Sequence, residues 1–597
     1  MTVEKSKWAI AVLAGVALAL SAAACGKSQE TEILVYELHE DSDTDTGTGE
    51  EPDPEPDECP DYYVDDKGRC IRYVDFEADS QDCGLSWMTA FSEIQPAIDA
   101  AYAAAIQLGH CEVWVAEGTY FSYENNSSDS IRLKPNVTVY GGFAGDEIWL
   151  SERDWVAHET IIDGTEAGGE NHSYHVVMGS NDSDLDGFTI TGGRAFGDAP
   201  HHRGGGIYLN ASNTTVNNCT IIGNEAVDGG GIFAYDAWPV VEASLIADNR
   251  AQRGGGMLVL NGFALIGDTR FENNHAEESG GGAYFEKIYS ACYPILEEVE
   301  FVANSAEVDG GAIYNISCNP NVDDALFDDN QVGERGGAIA TYRGSFDLSE
   351  STITNNRAAL DGGGLYGKFT DTVIAHCEFE RNQALRHAGG AYCELTDAEI
   401  YASSFLLNTA AEDGGALTVY FDEPRVVNTL ISGNEANRGA GIFNGTRAET
   451  EVVNCTLHGN TAADIGGGLY NAYLSEPTIY NTIVWGNDFK EIYDEIGSEA
   501  TISYTDVRGG YPGLYNIDQD PIFAGPGFWS DSDTPLDESD DIWVEGDYHL
   551  LAISPCIDAA NDDVSPTYDA EGKTWSDVED AGLPGSLVDM GIFDFQP

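Results

Sequence analysis

Residues 301–313 read FVANSAEVDGGAI, and the elements of this stretch recur along much of the chain with a period of about 26 residues. Each repeat has an asparagine in the place of Asn304, an apolar residue in the place of Phe301, and a glycine cluster a few residues later. The repeated asparagines are Asn224, Asn249, Asn274, Asn304, Asn330, Asn356, Asn382, Asn408, Asn434, Asn460 and Asn487. Short runs of Ile, Val, Thr, Phe and Tyr between these turns predict strands, because clustered glycine would break helices.

One coil per repeat would stack equivalent strands about 4.8 Å apart in parallel sheets. The apolar residue of each coil would then lie on the one below, and the asparagines would form a hydrogen-bonded ladder at a turn. The sequence therefore predicts an all-β fold, a single-stranded parallel β-helix (solenoid).

The quoted repeat resembles the repeats of chlamydial polymorphic outer-membrane proteins, through Phe301-Val-Ala-Asn304 and Gly310-Gly-Ala-Ile313. This resemblance covers about residues 204–487. The preceding region resembles secreted right-handed β-helix proteins of the pectate-lyase-like class. In that resemblance Ile94–Ala101 corresponds to a capping helix and Val113–Tyr120 to the first coil.

The C-terminal part resembles the closing region of choice-of-anchor Q proteins. The motifs that carry this resemblance are Asp520–Phe523, Asp547–Leu551, Ser554–Ala559 and Val588–Gly591. Together the resemblances imply a right-handed parallel β-helix with a short N-terminal capping helix and a small β-rich closing region. The predicted divisions are a signal peptide (1–25), an acidic disordered linker (26–58), a Cys-containing region with the capping helix (59–112), the β-helix (113–500) and the closing region (501–597).

The N-terminus has the pattern of an export signal. Lys5 and Lys7 precede an apolar run that ends at Cys25. Residues 21–26 resemble a bacterial lipobox, in which Cys25 would be lipidated, although Ala22 stands where that family usually has Leu. We therefore expect a lipid-anchored protein of the outer membrane or cell surface. Cleavage without lipidation, which would give a secreted protein, remains the alternative.

The chain is strongly acidic, with 103 acidic and 27 basic residues and a formal net charge of −76. Such a chain does not bind nucleic acid by neutralising phosphates. The sequence requires no cofactor, and Ca²⁺ is the one candidate cation. We expect a polysaccharide, or a surface protein of a host or neighbouring cell, as partner.

Stacking of the coils predicts two sets of contacts between neighbouring repeats. Asp and Arg alternate just before several glycine clusters, so side chains about 4.8 Å apart could pair and fix the register. The predicted pairs are Asp228–Arg253, Asp309–Arg335–Asp361 and Asp413–Arg438. Cys292 and Cys318 would also stack and could form a disulfide in an exported protein. Cys59–Cys70 and Cys83–Cys111 are further expected pairs near the cap.

Few residues have the spacing of a chemical site. Asp182, Asp184 and Asp186 begin like a calcium loop, but Gly193 stands where such a loop has Glu. The densest histidine group is expected at a surface or in a turn and comprises His172, His175, His201 and His202, followed by Arg203. Aromatic residues recur just after the glycines and are expected to point mainly inward; an outward row would suit sugar rings or a partner protein. They are Tyr208, Phe233, Tyr284, Tyr314, Tyr366, Tyr392, Phe443 and Tyr470.

Three functions remain open on these grounds. The first is adhesion or binding of a polysaccharide or protein partner without catalysis. The second is a polysaccharide lyase or glycoside hydrolase, and the third is a structural spacer of the envelope. No catalytic residues can be assigned from the sequence, and fold alone does not decide between these functions.

Overall fold

The computed structural model describes residues 64–65, 67–78, 83–530, 542–576, 582–583 and 586–595. The predictions for the signal peptide, the linker, Cys25 and Cys59 lie outside these residues. Within them, no helix has the length and apolar character needed to cross a membrane.

The described residues form a parallel β-helix whose coils contribute strands to four parallel sheets, numbered here in the order in which each coil visits them. Sheet 1 comprises Ile71–Val74, Cys111–Ala116, Val137–Phe143, Ser183–Asp186, Thr215–Asn217, Val240–Glu242, Leu265–Gly267, Ile295–Glu297, Asn321–Asp323, Ser345–Ser349, Asp371–Ala375, Ala398–Tyr401, Arg425–Val427, Glu451–Val453, Thr478–Tyr480 and Thr501–Ser503. Sheet 2 comprises Gly118–Tyr123, Thr160–Glu166, Phe188–Thr191, Thr220–Ile222, Leu245–Ala247, Arg270–Glu272, Glu300–Val302, Leu326–Asp328, Thr352–Thr354, Glu378–Glu380, Ser404–Leu406, Leu430–Ser432, Thr456–His458, Ile483–Trp485 and Asp506–Val507.

The other two sheets complete each coil. Sheet 3 comprises Arg194–Ala195, Glu225–Ala226, Arg250–Arg253, His275–Ser279, Ser305–Ala306, Gln331–Val332, Arg357–Ala358, Gln383–Ala384, Thr409–Ala410, Glu435–Arg438 and Thr461–Ile465. Sheet 4 comprises Ile131–Arg132, Val177–Met178, Ile207–Asn210, Ile232–Ala237, Met257–Gly262, Ala283–Glu286, Ile313–Ile316, Ile339–Tyr342, Leu365–Lys368, Ala391–Glu394, Leu417–Tyr420, Ile442–Asn444, Leu469–Asn471 and Ile492–Asp494.

Equivalent apolar side chains stack inside the coils, as the repeat predicts. The rings of Phe271, Phe301 and Phe327 lie 4.7 and 5.1 Å apart between successive centroids and are nearly parallel. All three rings are fully buried in one continuous core. This column lies on sheet 2, three residues before the asparagine turn, so the sequence pattern fixes which residue of each coil points inward.

The asparagines form a ladder through the interior of the turn between sheets 2 and 3. Asn330 shows the pattern: its Nδ2 donates to Oδ1 of Asn356 at 2.9 Å and to the carbonyl of Phe301 at 2.9 Å. The last rung, Asn487, donates from Nδ2 to Oε2 of the buried Glu491 at 2.7 Å. Because the side-chain amides of this ladder have hydrogen-bond partners on neighbouring coils, the ladder stabilises the turn without leaving its own polar groups unsatisfied.

Helix α1, Ile94–Leu108, covers the first coil, as the expected capping helix does. Its buried face contains Ile94, Ile98 and Ala101, and its end is marked by Gly109 at φ +90°. The helix continues beyond the Ile94–Ala101 motif because alanines extend its apolar face to Ala105. Short 3-10 helices occur at Trp87–Thr89 and Leu150–Glu152.

The C-terminal residues fold back along the turns of the last coils rather than adding coils. They include two antiparallel pairs, Phe523–Gly525 with Asp547–Leu550 and Phe528–Ser530 with Ile542–Val544. The Tyr548 hydroxyl lies 2.8 Å from Oγ of Ser432, which anchors this region to sheet 2.

Candidate binding surface

The aromatic residues that follow the glycines point outward from sheet 4, which corrects the expectation that most point inward. Ile207 and Leu209 belong to the central core, whereas Tyr208 lies between them in a separate cluster with Phe233. Neighbours in a strand alternate between the two faces, so once Ile207 is inside, Tyr208 must be outside. The remaining residues of this row are Tyr284, Tyr314, Tyr366, Tyr392, Phe443 and Tyr470.

Charged residues at the corner before sheet 4 cover these rings. Nε of Arg253 donates to Oδ1 of Asp228 at 2.9 Å. Nε of Arg335 donates to Oδ1 of Asp309 at 3.0 Å, and its Cζ lies 5.5 Å from the Tyr366 centroid. Such stacking of guanidinium on aromatic rings is favourable. The rings are buried by it, so this row does not form an open surface.

Of the other predicted ion pairs between neighbouring coils, Asp413–Arg438 forms as predicted, whereas Asp361 does not pair with Arg335. Nε of Arg438 donates to Oδ1 of Asp413 at 2.7 Å, in a bidentate contact. Asp361, which was expected to contact Arg335, is instead paired with Arg386, whose Nε donates at 2.7 Å. The reason is local: Asp361 and Asp413 flank His387 in the corner column, so the neighbouring Arg386 supplies the charge that an arginine supplies elsewhere.

Three aromatic residues stand exposed on the path from sheet 4 to sheet 1, at the same position of consecutive coils. We call Trp238, Phe263 and Tyr293 the aromatic edge; their side chains are 60%, 45% and 42% exposed. Backbone bonds from Phe263 N to Ala237 O and from Tyr293 N to Gly262 O set this register. The Trp238 and Phe263 rings are 6.2 Å apart at 74°, and the Phe263 and Tyr293 rings are 5.5 Å apart at 28°.

A loop and a disulfide support the end of this edge. Residues 287–292 lengthen one coil, and the Tyr289 hydroxyl donates to Oδ2 of Asp236 at 2.7 Å. Oγ of Ser290 donates to the other carboxylate oxygen at 2.9 Å. Cys292, directly before Tyr293, is joined by a disulfide to Cys318 of the next coil, with 4.9 Å between their Cα atoms. The loop is therefore held at both ends beside the aromatic edge.

The cysteines near the cap pair differently from the expectation. Cys70 is joined by a disulfide to Cys111, with 4.8 Å between the Cα atoms, and Cys83 is disulfide-bonded elsewhere. This corrects both the Cys59–Cys70 and the Cys83–Cys111 pairings. The physical reason is that Ile71–Val74 adds a strand beside Cys111–Ala116, which brings Cys70 next to Cys111.

The candidate calcium residues each bind a different protein group. Asp182 accepts a hydrogen bond from Nδ2 of Asn213 at 2.8 Å, and Asp184 accepts one from the Thr138 hydroxyl at 2.8 Å. Asp186 is paired with Arg153. Within the described part of the chain, no group of three His, Cys, Asp or Glu side chains is placed to share a metal.

Of the histidine group, the structure brings together His175 and His201, whose ring centroids are 5.4 Å apart, and the burial of His175 corrects the expectation of a surface or turn position. His175 is buried, with Nδ1 3.0 Å from the Gly204 carbonyl and Nε2 3.3 Å from Nδ1 of His201. Burial lowers the pKa of His175 to about 4. His172 lies against the Gly192 carbonyl, at 2.8 Å from Nδ1, and Nε of Arg203 contacts Oδ2 of Asp228 at 3.5 Å. His202, half-buried in the turn before Arg203, has its pKa lowered by burial.

The aromatic edge can be recognised in the sequence by its distance from the glycine clusters. The aromatic residues directly after the glycines form a more regular pattern and draw attention away from it. Trp238 and Phe263 each lie nine residues after the first glycine of their cluster, Gly229 and Gly254. Tyr293 lies 13 residues after Gly280, because the inserted loop adds four residues. Counting from the glycines, and allowing for the insertion, would have found the column.

A family model described as "Right handed beta helix region" matches residues 125–287. The protein is a right-handed parallel β-helix. Solved structures with similar folds include the surface adhesin PfbA of Streptococcus pneumoniae, at 13% identity over 71% of this chain and 87% of that one, with a TM-score of 0.26. No curated protein matches the sequence.

Two enzymes are also among the similar structures. Pectate lyase Pel9A shares 13% identity over 88% of this chain and 97% of its own chain, with a TM-score of 0.22. The catalytic unit of the GH87 α-1,3-glucanase from Streptomyces thermodiastaticus strain HF3-3 shares 12% identity over 71% and 65% of the respective chains, with a TM-score of 0.29. At 12–13% identity, these structures show a likeness of fold alone.

Proposed function

We propose that this β-helix binds polysaccharide without catalysis, through the aromatic edge, while Cys25 holds it at the bacterial outer membrane or cell surface. The observation that carries the proposal is the exposure of Trp238, Phe263 and Tyr293 on three consecutive coils. A folded chain gains nothing by leaving such large rings in water, so a partner that covers them is expected.

The free energy gained by covering these rings is consistent with a bound glycan. Aromatic rings present flat apolar faces beside polar groups, and Asp236, Tyr289 and Ser290 supply such groups next to this edge. Covering about 100 Å² of ring surface would contribute about 2.5 kcal/mol at about 25 cal/mol per Å². Three rings along one edge would hold several sugar units.

The charge of the chain selects among glycans. With a net charge of −76 and a carboxylate at Asp236, the surface repels polyuronates such as pectate and alginate. Neutral or amino sugars meet no such repulsion. The Asp236 carboxylate also accepts two hydrogen bonds from loop 287–292, which supports a role in holding Tyr289 rather than in proton transfer.

Binding and turnover on a panel of polysaccharides test the proposal. We expect the purified protein to bind a neutral β-glucan, mannan or xylan more tightly than polygalacturonate or alginate, and to release no reducing or unsaturated ends. Trp238→Ala should weaken binding at least tenfold. The matched control is Trp149→Ala, which removes another half-exposed tryptophan and should leave binding unchanged.

Two results would contradict the proposal. Released sugar ends would show an enzyme, and equal losses in the two tryptophan variants would show that the aromatic edge is not the site. Binding of polyuronates as tight as that of neutral glycans would contradict only the expected preference for neutral glycans.

A further inference from the structure

In later coils, the position that corresponds to the aromatic edge carries different side chains. After Asn319 and Ser345, it is acidic on six coils, and we call these residues the acidic edge: Asp371, Asp397, Glu423, Glu449, Glu476 and Glu499. All six are exposed. Carboxylates stacked about 4.8 Å apart repel one another, so the row costs the fold some stability.

An apolar row runs beside the first three of these carboxylates, two residues earlier in each coil. Phe369, Leu395 and Phe421 are 51%, 42% and 46% exposed. Backbone bonds from Phe369 N to Glu394 O and from Leu395 N to Tyr420 O place them on one another. Arg343 occupies the same position one coil earlier.

The backbone at the apolar row makes these residue types unexpected. Phe369, Leu395 and Phe421 have φ of +55°, +55° and +54°, a left-handed conformation that is unfavourable for a residue with a Cβ atom. Earlier coils place Asp236 and Asn261 at this position, which tolerate it better. Three coils thus combine backbone strain with exposed apolar side chains; within the fold, Nζ of Lys368 lies 5.4 Å from the centroid of the Phe369 ring and covers part of it.

We propose that the apolar row and the acidic edge together bind a basic amphipathic α-helix of a partner protein. Apolar side chains of that helix would cover Phe369, Leu395 and Phe421, and its Lys or Arg residues would face Asp371, Asp397 and Glu423. Charge complementarity selects a cationic partner, because the rest of the chain is strongly acidic. This surface is separate from the aromatic edge and does not depend on glycan binding.

Spacing selects a helix over an extended peptide. Three coils span about 9.6 Å from first to third at about 4.8 Å each. Two turns of an α-helix span about 10.8 Å. Same-face residues of an extended strand recur every ~6.8 Å and would span about 13.6 Å, so they would drift out of step with the coils.

Synthetic peptides test the surface directly. The probe is an 18-residue Leu/Lys peptide with leucines at helical spacing, and its control has the same composition in strict alternation. Calorimetric titration of the purified protein should show at least tenfold tighter binding of the helical pattern. A helical Leu/Glu peptide should not bind.

Matched variants separate this surface from general attraction to an acidic protein. Phe369→Asn/Leu395→Asn/Phe421→Asn places a residue tolerant of positive φ at all three positions and should weaken binding at least tenfold without lowering the melting temperature. Asp371→Asn/Asp397→Asn/Glu423→Gln should weaken binding and its salt dependence.

The control for charge is Glu298→Gln/Asp324→Asn/Glu350→Gln, which removes three exposed acids from another column of consecutive coils. This variant should bind the helical peptide as the unmodified protein does. Equal losses in the two acid variants, or no loss in the apolar variant, would overturn the proposal. Equal binding of the alternating peptide would overturn the helical partner.

Discussion

The aromatic edge and the acidic edge occupy one column of the same solenoid, yet they differ completely in chemistry. Trp238, Phe263 and Tyr293 occupy the same position of the coil as Asp371 and Asp397, at or just before the start of sheet 1. The same asparagine ladder runs behind both segments. The difference shows that the core of a coil fixes its inward positions, while an outward position can change from aromatic to acidic over three coils.

Variants of the asparagine ladder test whether the two segments share one structural basis, and we expect their effects, like those of the disulfide variants below, to be the largest. Asn249→Ala lies behind the aromatic edge and Asn408→Ala behind the acidic edge. Each removes buried bonds, such as that from Asn408 Nδ2 to Phe379 O at 2.7 Å, and leaves neighbouring groups unpaired. We expect each to lower the free energy of unfolding in urea by about 3 kcal/mol.

The exposed Asn437 provides the control for these variants. Asn437→Ala should change the free energy of unfolding by less than about 0.5 kcal/mol. A large loss at Asn249 with a small one at Asn408 would break the claim that both segments rest on the same ladder.

The disulfide beside the aromatic edge should distinguish the segments. Cys292→Ser/Cys318→Ser opens a crosslink of 26 residues and should cost about 3 kcal/mol of stability. It should also weaken glycan binding, because the loop carrying Tyr289 loses one of its supports. Binding of the helical peptide at the acidic edge should stay the same.

Removing the other disulfide gives the comparison for this experiment. Cys70→Ser/Cys111→Ser should destabilise the protein by a similar amount and leave glycan binding intact. If both double variants lose glycan binding equally, the effect comes from general destabilisation and not from the loop.

Much of the fold could be predicted from the sequence, because a repeated core demands the same residue at the same place. The strands, the ladder through Asn304 and the stacking of Cys292 on Cys318 all follow from the period. The outward course of Tyr208 could not be predicted, since it depends on which face the preceding Ile207 takes after the glycine corner. Pairing of Asp361 with Arg386 depends on His387 holding the corner, which a simple Asp–Arg alternation does not show.

A change of pH should affect the stability of the last rung of the asparagine ladder, where Asn487 donates to Glu491. Burial raises the pKa of Glu491 to about 7, against 4.5 for an ordinary glutamate. The folded state therefore holds this proton more tightly than the unfolded chain. The resulting stability is complete below about pH 4.5 and is lost as the pH rises through about 7.

Glu491→Gln should remove this contribution, which we expect to be about 2 kcal/mol between pH 5 and pH 8. Urea unfolding at the two pH values measures it. The matched variant is Glu499→Gln, on the exposed acidic edge, which should keep the pH dependence of the unmodified protein. Identical pH dependence in both variants would count against Glu491 as its source.

The smallest expected effect concerns repulsion within the acidic edge. Asp397→Asn removes one like-charge contact on each side, with Asp371 and with Glu423. We expect a gain of about 0.2–0.5 kcal/mol at low salt and none at high salt. A loss of stability at low salt would show that Asp397 has a favourable partner.

Titration of one protein with both ligands tests the central claim most directly. The neutral glycan and the helical Leu/Lys peptide are each titrated into the unmodified protein, into Trp238→Ala/Phe263→Ala/Tyr293→Ala and into Phe369→Asn/Leu395→Asn/Phe421→Asn. Two separate surfaces predict that the first variant loses only the glycan and the second only the peptide. Loss of both ligands in either folded variant, or of neither ligand in both, would contradict the division of this column into two binding segments.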